Sequence, residues 1–396
     1  MQAIYTRNVC TALQSGLRYL LANGRIEQSR AGDVIVSQVP VTTVYVNPVQ
    51  RVLTSPVRDA NPFFHLAESL WMLAGRNDAA FLNNYVADFG ERFAESASGK
   101  PNDEPGGYIH GAYGDRWRNA LGFDQLDVVV AKLRANPQDR QCVIQMWDGT
   151  PNVRARDDSA DYECGDEFGS DDLRGSWRDR PCNTHVYLRV RDEDNYKSPS
   201  YGDDSASLEP VGYLDLTVCC RSNDVIWGAY GANAVHFSVL QEYLAARIGV
   251  KVGVMYQVSN NFHAYASEIA RLKKRAEKLV GGTVQDHDLH RVLGPDHYLR
   301  SDAEHVPLVH DASTFDDELR LAIKLIEIDK RGAMVDLDQF KDMKNLFLSR
   351  TVWPALHAHA CFKAGYRSSQ QTWAAEIEAT DWRRACTEWL ERRIAK

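Results

Sequence analysis

The chain has 396 residues, 44% of them hydrophobic and 25% charged, with a formal net charge of −8. This is the composition of a globular protein, long enough for one large domain with additions or for two domains. The negative balance argues against generic nucleic-acid binding but leaves room for a local basic cleft. No apolar run is long enough to cross a bilayer. The N-terminal MQAIYTRNVCTALQSGLRYLL lacks an apolar core ahead of a cleavage site, so the cytoplasm is the expected compartment. Eight scattered cysteines without a CxxC pair point to neither a disulfide scaffold nor a metal site.

In chain order, residues 3–23 read as an amphipathic helix stopped by Gly24. A turn over Ser29–Asp33 precedes two strands within Val34–Val46, broken at Pro40. Asn61-Pro62 opens a helix with Phe63, Leu66, Leu70 and Leu73 apolar and Glu68 set among them. Such a carboxylate is more often exposed and locally paired than buried for a purpose. A polar loop spans 96–107, and a helix runs from Phe123 to Arg134. Cys142–Trp147 is a short β run, and 154–179 and 192–212 are acidic or polar excursions. Val186–Val190, Tyr213–Cys220 and Val254–Val258 read as core strands, and Ala234–Ile248 as a strong helix. Beyond residue 313, helices are expected over 315–329, 336–349, 351–364 and 371–394. Without strict βαβ alternation, the class is α+β.

Chemistry-bearing residues gather between Arg178 and Tyr265. A lone cysteine is usually a small buried hydrophobe, but Cys182 follows Pro181 and is preceded by Arg178 and Arg180. Nearby cations lower a thiol pKa and raise the nucleophilic thiolate fraction. Arg221-Ser222 at a strand end suits a phosphate. Asn233 suits a base edge or a helix N-cap. His263 and Tyr265 suit a sugar hydroxyl or a packed pair at a strand end.

The order and spacing of this set resemble the thymidylate synthase superfamily over roughly residues 29–268. Pro181-Cys182 is similar to its P-C nucleophile, and Arg221-Ser-Asn-Asp-Val-Ile-Trp-Gly228 to R-S-x-D-V-x-x-G. His263-Ala-Tyr265 matches H-x-Y, Glu68-Ser-Leu-Trp-Met-Leu-x-Gly75 matches E-L-L-W-F-L-x-G, and Tyr113-Gly114-x-x-Trp117-Arg118 matches Y-G-x-x-W-R. Ser29-Arg30-Ala-Gly32 and Asp139-Arg140 are looser matches to the family's arginine loop and dimer-crossing arginines.

The resemblance implies a fold whose central mixed sheet forms a homodimer interface. It implies a catalytic domain over 1–310, with insertions near 96–107, 154–179 and 192–212, and a helical C-terminal extension over 311–396. Cys182 would attack C6 of a pyrimidine nucleotide, and C5 would take a one-carbon unit from 5,10-methylenetetrahydrofolate. Glu68 would relay protons through water, with Tyr113 and Arg221 completing the catalytic set. Arg30, Arg221 and Ser222 would hold the phosphate, with Arg140 supplied by a partner subunit. Asn233 would read the base, His263 and Tyr265 the sugar, and Asp224 and Gly228 would meet the folate.

The departures shape the expected product. Arg140-Gln141 replaces a pair of arginines, leaving a phosphate contact that Arg180 is placed to supply, and Asn183 replaces the histidine usual after the nucleophile. The base-reading position four residues after Gly228 is Ala232, so one inserted residue is needed to bring Asn233 into place. Asn there favours uracil over cytosine. The family's tryptophan near the folate falls at Gly90, and Leu390–Lys396 lacks a short apolar tail. With less to exclude water, water adds where folate would otherwise donate hydride. The expectation is hydroxymethylation of dUMP in a phage context. Thymidylate synthesis, dCMP hydroxymethylation and a non-catalytic nucleotide-binding scaffold are the alternatives.

Overall fold

Strand pairing dominates the architecture. The computed structural model describes residues 1–95, 107–150, 170–175, 177–192, 212–299 and 305–394, so the loops expected over 96–107, 154–179 and 192–212 lie mostly outside it. Eight described strands form one mixed sheet. They are β1 (Gln2–Thr6), β2 (Arg25–Ser29), β3 (Gly32–Val36), β4 (Val41–Tyr45), β5 (Val143–Gln145), β6 (Asn183–Arg191), β7 (Tyr213–Asp224) and β8 (Lys251–Tyr265). The order is β1-β4-β8-β7-β6-β5, and the β2–β3 hairpin joins through β3 to β8. Pairs β1–β4 and β7–β8 are parallel and the others antiparallel.

The N-terminus departs from the expected helix over 3–23. Residues 2–6 form β1, with Ile4 and Thr6 buried in alternation, and the helix begins only at Val9. Asn8 forces the break. Its extended backbone lets Oδ1 accept from Cys10 N and Thr11 N, both at 3.1 Å, while Thr11 Oγ1 accepts from Asn8 N at 3.2 Å. This capping box outweighs the continuous apolar spacing.

β7 and β8 run further than expected. β8 is paired with β4 along Met255–Ser259, with β3 along His263–Tyr265 and with β7 along most of its length. His263 and Tyr265 therefore lie within a strand rather than after one. The parallel register sets Ser222 beside Asn261 and Asp224 beside His263, and β6 brings Asn183 beside Cys220. Residues more than 70 positions apart thus meet at one end of the sheet.

Asn61 caps the helix Pro62–Leu73 through Phe64 N at 3.2 Å, and Pro62 takes the first turn, where no N–H is needed. Every residue of this helix except Phe64 is buried, and Glu68 is only 7% exposed. The exposed reading of Glu68 is therefore wrong. The helix Val9–Asn23 packs Gly16 against the buried ring of Tyr230, whose hydroxyl is 2.9 Å from Thr43 Oγ1. A Cβ at Gly16 would lie 2.2 Å from that ring. Gly16→Ala gains about 1 kcal/mol of helix propensity but overpacks by up to about 3 kcal/mol. We expect a lower urea midpoint at unchanged m-value; an unchanged or higher midpoint would refute the contact.

The C-terminal third is helical over Phe315–Lys330, Asp338–Lys341, Trp353–Lys363, Arg367–Ala375 and Thr380–Ile394. The single helix expected over 371–394 is broken between Ala375 and Thr380, and that over 336–349 shrinks to one turn. These helices enter the same apolar core: Trp389 and His359 pack on Phe63 with ring centroids 5.3 and 5.0 Å away. Buried Cys10, Asp296 and His297 bring three potential metal donors within 4.8 Å of one another. Each has a protein partner: Asn8 bonds Asp296, Thr54 bonds His297, and Cys10 faces the Val52 carbonyl. We read them as a polar joint within the core. No described helix is long and apolar enough to cross a membrane.

Candidate active site

Cys182 stands at the mouth of β6, partly buried. Arg221 on β7 holds the approach to it: its backbone N donates to the Cys182 carbonyl at 2.9 Å. Its Nε donates to the Pro181 carbonyl at 2.9 Å and Nη2 to the Arg180 carbonyl at 3.2 Å. The guanidinium also lies 5.3 Å from the ring of Trp147. Burial pushes the thiol above its ordinary range; Arg221 and a hydrogen bond from Tyr113 oppose that, and Asp179 and Asp224 reinforce it.

This corrects the expected electrostatics. Arg178 turns away, its backbone N donating to Glu95 at 2.5 Å and Nη1 to the Glu91 carbonyl at 3.1 Å. Arg180 reaches the Gly175 carbonyl, leaving a buried Nε without a hydrogen-bond partner among the described residues. The cation that favours the thiolate is Arg221, from a strand distant in sequence.

Tyr113 and Asp179 act on the thiol, and Glu68 acts in turn on both of them. Burial raises the Tyr113 phenol well above its usual range; its ring stacks on Phe237 at 5.9 Å and turns an edge toward His236 at 6.5 Å. Glu68 Oε2 lies 2.9 Å from His236 Nε2. The Asp179 carboxylate packs over Gly111, where a Cβ would fall 2.4 Å from Oδ2. Burial pushes Asp179 up to about 7, aided by Glu68 and opposed by Arg221 and Arg116. The segment before Cys182 is locked to that carrying Tyr113 by a buried cluster. Asp172 lies 2.7 Å from His110 Nε2 and accepts from Arg116 at 3.1 Å and from Asp148 N at 2.8 Å. Trp177 stacks on His110 at 4.0 Å.

Sequence reading missed Asp179 and His236. Asp179 was overshadowed by its flanking arginines. His236 carried a legible signal, an imidazole three residues after Asn233 in an otherwise apolar helical stretch. Above pH 7 the ionised Asp179 holds the thiol up, so Asp179→Asn should move the pH midpoint of Cys182 alkylation downward. Peptide-resolved mass spectrometry reads this, and an unmoved or rising midpoint contradicts the placement.

Amides line the adjoining floor. Asn183 Nδ2 donates to Asn233 Oδ1 at 3.4 Å, Asn233 Nδ2 to Asn223 Oδ1 at 3.0 Å, and Asn223 Nδ2 to Ser259 Oγ at 2.9 Å. The Cys220 thiol donates to Asn183 Oδ1 at 2.8 Å. Asn233 has helical dihedrals and opens the helix Asn233–Ile248, and the residue in the N-cap position is Ala232, so the N-cap reading of Asn233 fails. Ahead of it, Val225–Ala232 winds in wide π-type turns, with Tyr230 and Gly231 outside helical dihedrals. The chain thus kinks at Tyr230 and Gly231 just before Asn233. A Cβ at Gly228 would meet Asn223 Oδ1 at 2.7 Å and Asn233 Nδ2 at 3.3 Å. Gly228 thereby keeps the amides in place.

His263 and Tyr265 meet edge to face at 5.5 Å. Arg30, at the exposed β2–β3 tip, acts electrostatically on the Tyr265 phenol. Asp224 Oδ1 accepts from Ile226 N at 2.8 Å and Trp227 N at 2.5 Å, while Oδ2 is buried without a hydrogen-bond partner among the described residues. Burial raises its pKa, with His263 and Arg58 among the opposing influences. Arg140 stands in an exposed turn ahead of β5.

A clamped thiol and an amide floor thus adjoin at one end of the sheet, with a buried carboxylate on the helix Pro62–Leu73. The thymidylate synthase family profile matches residues 14–283, and the chain belongs to that family. It is 39% identical, over all of its own length and 95% of the relative's, to a deoxyuridylate hydroxymethyltransferase of Pseudomonas phage M6. It is 31% identical to the deoxyuridylate hydroxymethyltransferase of Bacillus phage SP01, over 61% of this chain and 54% of that protein. Identity to a putative thymidylate synthase of Methanothermobacter marburgensis is 22%, over 64% of this chain and 89% of that one.

Proposed function

We propose that this chain hydroxymethylates C5 of dUMP, with 5,10-methylenetetrahydrofolate and water as co-substrates. The observation that carries the reading is the Cys182 segment clamped by Arg221 through the Cys182, Pro181 and Arg180 carbonyls, with Glu68 buried in the same core. Cys182 Sγ attacks C6, making C5 a carbon nucleophile; the folate supplies the methylene carbon. Glu68 moves protons through water on the far side of Tyr113. The orphaned Asp224 Oδ2 fits the N–H donors of a pterin ring, and Gly228 shapes the wall beside it.

Arg30, Arg180, Arg221 and Ser222 hold the phosphate, and Arg140 completes it from a second copy in a twofold homodimer. His263 and Tyr265 take the sugar. Within the amide chain, Asn233 keeps one lone pair on Oδ1 and one N–H on Nδ2, which suit N3–H and O4 of uracil. Asn233→Asp replaces that N–H with an acceptor. It should cut dUMP turnover at least tenfold relative to dCMP, measured as the ratio of kcat/KM values; an unchanged ratio would remove Asn233 from base reading.

The M6 relative supports a hydroxymethyl rather than a methyl product. Gly90, in place of a ring beside the folate, points the same way. Mass spectrometry of the nucleotide product decides. 5-Hydroxymethyl-dUMP with tetrahydrofolate is expected; dTMP, with the absorbance rise of dihydrofolate, would make the chain a thymidylate synthase instead.

A further inference from the structure

His236 is left without a task by the reading above. It sits one turn into the helix Asn233–Ile248 and is 2% exposed. Its Nε2 lies 2.9 Å from Glu68 Oε2. Yet neither ring nitrogen, nor that carboxylate oxygen, has a well-aligned hydrogen bond among the described residues. The groups are close enough to attract but are not oriented to satisfy each other. Buried polar atoms with unused capacity are costly, and the usual resolution is a shared water.

The surroundings say where such a water would stand. Tyr113 acts on the Cys182 thiol, and its ring meets that of His236 near a right angle with centroids 6.5 Å apart. Phe237, the next residue, stacks on Tyr113 and is fully buried. The imidazole and carboxylate therefore adjoin the ring that acts on the nucleophile, with apolar packing beside them. A histidine that merely filled the core would be expected to spend its N–H on an aligned acceptor.

The geometry points to His236 as a positioning residue which, through Glu68, holds the water that becomes the hydroxyl of the product. This rests on the hydroxymethylase reading. After the carbon unit has been transferred, the nucleotide carries an exocyclic methylene at C5 and the Cys182 sulfur at C6. The water oxygen forms a C–O bond to the methylene carbon, and its proton passes to the Glu68–His236 pair. The exocyclic π pair moves to C5 and the C4 carbonyl as an enolate. Collapse of that enolate restores the C5–C6 double bond and expels the Cys182 thiolate with the C6–S electron pair. No oxidant or reductant is consumed.

The test separates hydration from the steps before it. With [5-³H]dUMP, tritium release reports loss of the C5 proton, which precedes hydration, and mass spectrometry reports the hydroxymethyl product. In single turnovers, with enzyme in excess of [5-³H]dUMP, we expect His236→Ala to release tritium at within about threefold of the wild-type rate and to form product at least about tenfold more slowly. Added 2-mercaptoethanol should then capture the stranded methylene as a thioether. His236→Gln, which keeps a donor near Nε2, should recover part of the product. Tritium and product falling together, or neither falling, would overturn the assignment. So would failure of both variants to form the 5-fluoro-dUMP–folate adduct that wild type forms, which would mark a structural role. If wild type itself gives neither adduct nor tritium release, the hydroxymethylase reading fails first, and the two failures are told apart.

Discussion

Cys182→Ser is expected to lower turnover by roughly 10⁴-fold, about 5.4 kcal/mol of transition-state stabilisation. The reason lies in what surrounds Sγ. Arg221 and Tyr113 act against burial to make a thiolate accessible. The same two groups cannot do this for a serine hydroxyl, which is far less acidic. The hydrogen bonds from Arg221 to the Pro181 and Arg180 carbonyls involve backbone acceptors and survive the change. Nucleotide binding should therefore stay within about threefold of wild type, because uniform binding is untouched. The covalent adduct with 5-fluoro-dUMP and methylenetetrahydrofolate should vanish from the intact mass. Cys219 and Cys220 are the nearest cysteines in sequence to β7's Arg221, and burial raises both thiols. An adduct that persists on either would move the nucleophile off Cys182 and sink this assignment.

Glu68→Gln should lower turnover by about 10²–10⁴-fold, the usual range for removing a group that moves protons. Stability should not follow activity. Glu68 is a buried carboxylate whose close neighbour is His236, in poor hydrogen-bond alignment. An amide of the same shape costs less to bury than a charge without a settled partner. The melting temperature should accordingly hold or rise while kcat falls. The adduct with 5-fluoro-dUMP should still form, since Cys182 and Arg221 are unchanged. A variant that loses stability and activity together would make Glu68 a structural residue, and the proton-relay role would fall with it.

The opposite behaviour of the two variants toward the trapped adduct follows from where the side chains stand. Cys182 immediately precedes β6 at the end of the sheet, beside the arginine that clamps its backbone. Glu68 is on the helix Pro62–Leu73, opposite a helix that brings Asn233 and His236 into the same region. Attack and proton transfer are thus delivered from different layers of the fold, and each can be removed without dismantling the other.

Much of the site was readable in the chain. Cys182, Arg221, Ser222, Asp224 and His263 fall in short ordered motifs, and a carboxylate in the apolar run Phe63–Leu73 was already anomalous. Other features were not readable. The helix pattern over 3–23 concealed β1, because its apolar spacing runs through Asn8 and only the capping geometry breaks it. The strand ends at Asp224 and Tyr265 depend on neighbours far away in sequence. The electrostatics were misread for a similar reason. Arg178 and Arg180 adjoin Cys182 in the chain but point elsewhere, and Arg221 acts on it across the sheet.

The sequence by itself determined the covalent inventory and the local turns: which thiol, which carboxylate, which amides, and helix starts such as Asn61-Pro62. These depend on side-chain chemistry and on backbone preferences a few residues long. Only the tertiary structure decided that Glu68 is buried against His236, that Asp179 crowds the thiol, and that wide turns over Val225–Ala232 carry Asn233 onto the amide floor. Burial and through-space charge depend on what the sheet and helices bring together, and no local stretch of chain encodes that.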